Sequence, residues 1–149
     1  MSIEIKGLVT GIFSAGAAFT ATNIGYGVRQ NATADLQVSL CTPGQDCDGV
    51  LLEAAASGAR CNIQHDGIAK LRAAVGGVTR GQIVTPTTTG FIAITAAYTN
   101  TSDGGSATDA LIGGHAFAKA LESAAAGELF SALIIKSGAT PTTVTGIDS

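Results

Sequence analysis

Charge is what this sequence has least of. Only 13% of its residues are Asp, Glu, Lys or Arg, and the 8 basic residues are scattered singly against 11 acidic ones, for a net charge of -3. Without a basic stripe, binding to nucleic-acid phosphates has little to work with, and nucleic acid is not expected as a partner. Trp is absent and there are only 2 Tyr, too few for the aromatic lining expected at the mouth of a small-ligand or carbohydrate-binding barrel. Apolar runs stop short of the roughly 18 residues of a membrane-spanning helix because Gly, Ser and Thr interrupt each one, so no membrane partner is expected. Leu8 to Phe19 could pass for a signal-peptide core with Ala15-Gly16-Ala17 as its cleavage site. Glu4, however, cancels Lys6 in what should be a basic flank, and the segment reads as mature sequence.

Chemistry-bearing side chains are just as sparse. The 2 histidines, His65 and His115, stand in no nucleophile or metal motif. His65, next to Asp66, reads as a hydrogen-bonding residue at a turn, and His115 as core or interface. Cys41, Cys47 and Cys61 are an odd set, which argues against a complete disulfide framework and suits a reducing cytoplasm, with a Cys41–Cys47 bridge left open. Together with His65 they read C-x5-C-x13-C-x3-H, whose first spacing exceeds that of ordinary zinc sites; three small buried side chains are the expectation. Asp46-Cys47-Asp48-Gly49 lacks the length and closing Glu of a calcium loop. The G-x-G at Gly25 to Gly27 lacks the third glycine and the βαβ setting of a dinucleotide site. No catalytic residue, metal or cofactor is expected, and the chain reads as something other than an enzyme.

What the sequence does contain is alternation and small residues. The chain has 149 residues, of which 46% are hydrophobic and 20 are Gly, enough for one domain with its own core. Ile3-Glu4-Ile5-Lys6 and Leu36-Gln37-Val38-Ser39-Leu40 alternate as strands do. Further strands are expected at 49–54, 60–64, 68–71, 81–84, 91–95 and 129–135, bounded by turns at Thr42-Pro43-Gly44, Ser57-Gly58, Asp66-Gly67, Gly76-Gly77, Thr89-Gly90 and Asp103-Gly104-Gly105. Residues 109–126 could form a helix capped by Gly127, but Gly113-Gly114 weakens it, and a strand over 112–121 is preferred. A turn over Ala124-Ala125-Ala126-Gly127 then leads to a closing strand, a plan that echoes Ala54-Ala55-Ala56-Ser57-Gly58 between its own two strands. The expected fold is all-β: a small β-barrel or β-sandwich-like single domain over residues 23–136, an N-terminal strand or arm over 1–22, and a Thr-rich C-terminal arm over 137–149. Thr85 to Thr89 and the tail are expected to add little to a core.

A resemblance extends this reading. The stretch D-G-V-L-L-E-A-A-A-S-G-A-R-C-N-I-Q-H-D-G-I-A-K-L-R-A-A from Asp48, then Gly76-Gly77-Val78-Thr79-Arg80-Gly81-Gln82-Ile83-Val84, resembles the small capsid cement, or head decoration, proteins of tailed bacteriophages. Leu111 to Ala118 followed by Ala124 to Ile134 looks like that family's final hairpin. The likeness spans about 28–135 and departs at the cysteines, the N-terminal segment and the tail. It implies a barrel-like domain on the outer face of an icosahedral head, often as a trimer, with the major capsid protein and further copies of the chain as partners. Ile3, Ile5, Arg29, Arg72, Arg80, Thr140 and Val144 are the expected interface residues. The arginines, Arg60 among them, are solvated strand-edge groups or anchors for a partner's carboxylates; Tyr26, Phe91 and Tyr98 are core filler or interface anchors.

Overall fold

A computed structural model of the chain describes residues 5–43, 45–94 and 115–136. Among the described residues eleven strands carry the fold: β1 (Ile5–Lys6), β2 (Val9–Ala15), β3 (Gly27–Gln30), β4 (Gln37–Leu40), β5 (Gly49–Leu51), β6 (Arg60–Gln64), β7 (Gly67–Arg72), β8 (Ile83–Thr87), β9 (Gly90–Ala93), β10 (Ala118–Ala120) and β11 (Leu129–Ile134). A 3-10 turn at Ala21–Asn23 is the one helical element among the described residues. Strands β2-β4-β3-β5-β6 close into a barrel, and β1-β7-β11-β10-β8-β9 form a six-stranded sheet. The all-β expectation holds.

The two bodies are built on one plan. In the barrel, β2 pairs with β6, β6 with β5, β5 with β3, β3 with β4, and β4 runs parallel to β2. In the sheet, β7 pairs with β11, β11 with β10, β10 with β8 and β8 with β9, and a single parallel bridge, Ala73 to Phe91, brings β9 back to the end of β7. The sheet is therefore the same five-stranded unit with its last pairing reduced to one bridge, and β1 is added on β7.

Local detail repeats as well. Phe19 and Ala55 form an isolated bridge, as do Val78 and Ala124. Gly58, at φ 79°, donates its N–H to Ala15 O, and Gly127, at φ 82°, donates to Ala73 O. Both turns need the left-handed backbone that glycine adopts without steric cost. The Glu53 carboxylate accepts from Asn62 N at 3.1 Å, and that of Glu122 from Ser131 N at 2.8 Å. The Ala-Ala-x-Gly echo in the sequence is the visible remnant of this repetition.

Alternation sorts the side chains. The barrel core holds Ala15, Phe19, Val28, Val38, Leu51, Cys61 and Ile63. In the second unit, Leu71, Val84, Phe91, Phe117 and Phe130 fill the inner face, with Phe91 and Phe117 stacked at 5.3 Å. Cys41, Cys47 and Val50, on the barrel's outer side, belong to that second core and fuse the two units. Backbone bonds reinforce the joint: Gly25 N donates to Leu51 O, and Arg72 N to Gly25 O.

Several sequence expectations shift. The segment 1–22, expected as strand or arm, supplies β2, a barrel wall; a bulge between Thr10 and Phe13 breaks the alternation that would have revealed it. Strand β3 lies in a stretch where no strand was expected. The strand expected at 81–84 begins at Ile83 and runs to Thr87, because Gly81, at φ 89°, lies in the preceding turn. Thr85 to Thr89 thus contributes to the core: Val84, Thr85 and Pro86 are buried. Pro86 sits beyond the β10 pairing, where its missing N–H breaks no ladder bond on that side. Within 115–126 the chain forms strand β10 and turns, not helix. The turn at 103–105 and the tail from Ser137 lie outside the described residues.

Candidate attachment surface

The register across the second unit sets out one row of side chains on its outer face: Ile68 on β7, Leu133 on β11, Lys119 on β10 and Ile83 on β8. Three of the four are aliphatic, and Leu133 keeps 41% of its surface exposed. Leu121, on the same face one step along, is also 41% exposed, and Ile92 on β9 is 39% exposed. Clustered exposed aliphatics of this kind mark association surfaces, whereas single ones need no explanation.

The internal repetition sharpens the point. By register, the equivalent row in the first unit is Val9, Gln64, Val50 and Gly27. There, Gln64 and Val50 are fully buried at the joint with the second unit. The Gln64 amide nitrogen donates to Asp66 O at 2.8 Å and Ile68 O at 3.1 Å. A face that serves as an interface in one unit is thus exposed and apolar in the other.

The expected interface residues are dispersed. Arg72 is engaged within the chain, its Nε donating to Ile24 O at 3.0 Å and its Nη1 to Gly127 O at 2.7 Å, so it clamps both units together. Arg29 is half-buried on β3, opposite Ser39. Arg80 is exposed on the turn before β8, where its backbone N–H donates to Ser123 Oγ. Ile5 pairs with Ile68 through its backbone in β1; Ile3, Thr140 and Val144 lie outside the described residues. The row centred on Leu133 escaped sequence reading because which face of a strand is covered depends on its partners, although a strand over 129–135 was expected.

Potential reactive groups are absorbed into structure. His65 Nε2 meets Thr10 Oγ1 at 2.7 Å, and Nδ1 meets Asp48 O at 3.0 Å. Because a carbonyl only accepts, Nδ1 carries the proton, and the ring ties β2 to the lead-in of β5. No group of three or more His, Cys, Asp or Glu able to hold a metal exists among the described residues. No helix of the described residues is long and apolar enough to cross a membrane.

No protein-family model matches the chain, and no curated protein does either. Among solved structures, the chain is similar to the crystal structure of the N base of the head fibre protein gp8.5 of bacteriophage phi29. The TM-score is 0.55 at 15% identity, and the match covers 93% of this chain and 97% of that one. At that identity the likeness establishes a shared fold.

Proposed function

We propose that this chain is a structural protein of a phage virion, held on the outer surface of the head as the base of a head appendage. The observation that carries the reading is the match to a head-fibre base along nearly the whole of both chains. The role is non-catalytic, with the major capsid protein and further copies of the chain as partners. The outer row of Ile68, Leu133, Lys119 and Ile83 supplies the contact. Low surface charge favours such a role, since few ionic groups must be desolvated when the surface is covered.

A second reading, a cement protein spread over the whole lattice, is favoured by the sequence pattern from Asp48 to Val84 and from Leu111 to Ile134. The two differ in occupancy. A cement protein saturates near one copy, or one oligomer, per repeating lattice contact, whereas an appendage base occupies a limited set of positions and projects from them. Repetition around the head would turn weak individual contacts into firm attachment in either case.

The test mixes purified protein with undecorated heads, pellets them, measures the bound ratio and locates the added density by cryo-electron microscopy. Saturable binding at discrete projecting positions supports the appendage base, and uniform coverage supports cement. No binding to a matched head overturns both. Leu133→Lys is expected to weaken binding at least tenfold while leaving the melting temperature unchanged.

A further inference from the structure

We propose that Cys41 and Cys47 are a built disulfide site, whose two thiols pair when the protein meets a low-molecular-weight disulfide oxidant. The sulfurs lie 2.8 Å apart in the fused core, and both cysteines are buried. Cys41 directly follows β4 and Cys47 stands two residues before β5, the two strands that flank β3. Both ends of the connection are fastened to that strand: Cys41 N donates to Gly27 O, and Asp48 N to Val28 O. A cross-link would therefore join two points that the fold already holds together, with little backbone movement.

Gly27 supplies a second, independent observation. A Cβ added there would stand 2.5 Å from Cys47 Sγ, so the absent side chain at this position is what gives the sulfur pair its room above β3. The third cysteine is excluded by place, since Cys61 belongs to the separate core inside the barrel. The neighbouring thiol, burial, and the carboxylates of Asp46 and Asp48 raise the pKa of Cys47, which keeps that thiol protonated and slow to react while it stays buried.

The chemistry balances with oxidised glutathione as the oxidant. One cysteine thiolate attacks a glutathione sulfur and displaces one glutathione thiolate, leaving a mixed disulfide. The second cysteine attacks the protein sulfur of that intermediate and displaces the other. Two protein thiols are oxidised to one disulfide, and one glutathione disulfide is reduced to two thiols. Such a pair stays reduced in a cytoplasm and closes outside it. This site does not depend on the virion role proposed above.

The experiment refolds the full-length chain from denaturant in a mixture of reduced and oxidised glutathione, then denatures it, alkylates it and measures its intact mass. The expected product carries one alkyl group, on Cys61, and has lost two hydrogens; the same chain refolded in excess reductant carries three. Refolding from denaturant removes burial as an explanation for failure. Cys61→Ser is expected to give no alkylation after oxidation and two groups after reduction. Three alkyl groups in the oxidised sample, a persistent glutathione adduct, or a linkage that includes Cys61 would each overturn the proposal.

Discussion

The two units share a strand plan but not a core, and one closes while the other stays partly open. Register places Val38 of the barrel opposite the role of Phe91 in the second unit, and Cys61 opposite that of Phe130. The swaps run both ways, since Leu51 and Ile63 of the barrel stand where Ala120 and Ala132 stand in the second unit. In the second unit the five-stranded wall meets at a single bridge, where the barrel forms a two-residue ladder. The first unit also carries a bulge in β2 that bends the strand, whereas β7 has unbroken register with β11. The same topology thus accommodates a closed and a partly open unit with different core residues. The outward face follows suit: buried at the joint in one unit, exposed in the other.

The sharpest way to break this comparison is to empty matching positions in the two cores. Phe130→Ala is expected to destabilise by about 3–5 kcal/mol, against roughly 1 kcal/mol for Cys61→Ala at the matching position, measured by chemical denaturation. Equal losses would mean the two cores do not differ as described. At the joint, Gly27→Ala is expected to cost about 1–3 kcal/mol through overpacking against Cys47, and most of that loss should disappear when Cys47→Ala is added. Additive losses would show that the sulfur is not the obstacle.

The paired carboxylates offer a finer test. Glu122 is half-buried and Glu53 exposed, with equivalent bonds to Ser131 N and Asn62 N. Glu122→Ala is expected to cost about 1–2 kcal/mol and Glu53→Ala less than about 1 kcal/mol, because a solvated carboxylate trades its backbone bond for water. The smallest effect concerns pH in the reduced protein. The raised pKa of Cys47 means that its contribution is intact below the ordinary thiol range and declines above about pH 8.5, where the unfolded chain ionises and the folded one does not. Titrating stability between neutral and alkaline pH should show this decline, and Cys47→Ala should reduce its slope.

Much of the strand content was legible because its signals are local. Alternation located β6 to the residue and β4, β7, β9 and β11 to within one or two. The turn glycines announced themselves because positive φ selects for them, as at Gly58, Gly67 and Gly127. The place of β2 in the barrel wall and the whole of β3 were missed for local reasons too: a bulge disrupts one, and the other opens on Gly27, whose role appears only when Cys47 and Phe91 pack over it. The repetition was half legible, since Ala55 to Gly58 and Ala124 to Gly127 match by eye while Val38 and Phe91 share a role without sharing a residue type.

The candidate surface lies at the far end of that scale. Composition alone determined that the chain is sparsely charged and poor in histidine and aromatic residues, because these are properties of residues counted one at a time, and local alternation added that it is β-rich. Pairing decided the rest. Which face of β11 is covered, whether Arg72 reaches a partner or its own turns, and whether two cysteines six residues apart meet over a glycine all depend on non-local contacts between segments distant in the chain. Such contacts are set by volume and register once the two units pack together, and no local pattern encodes them.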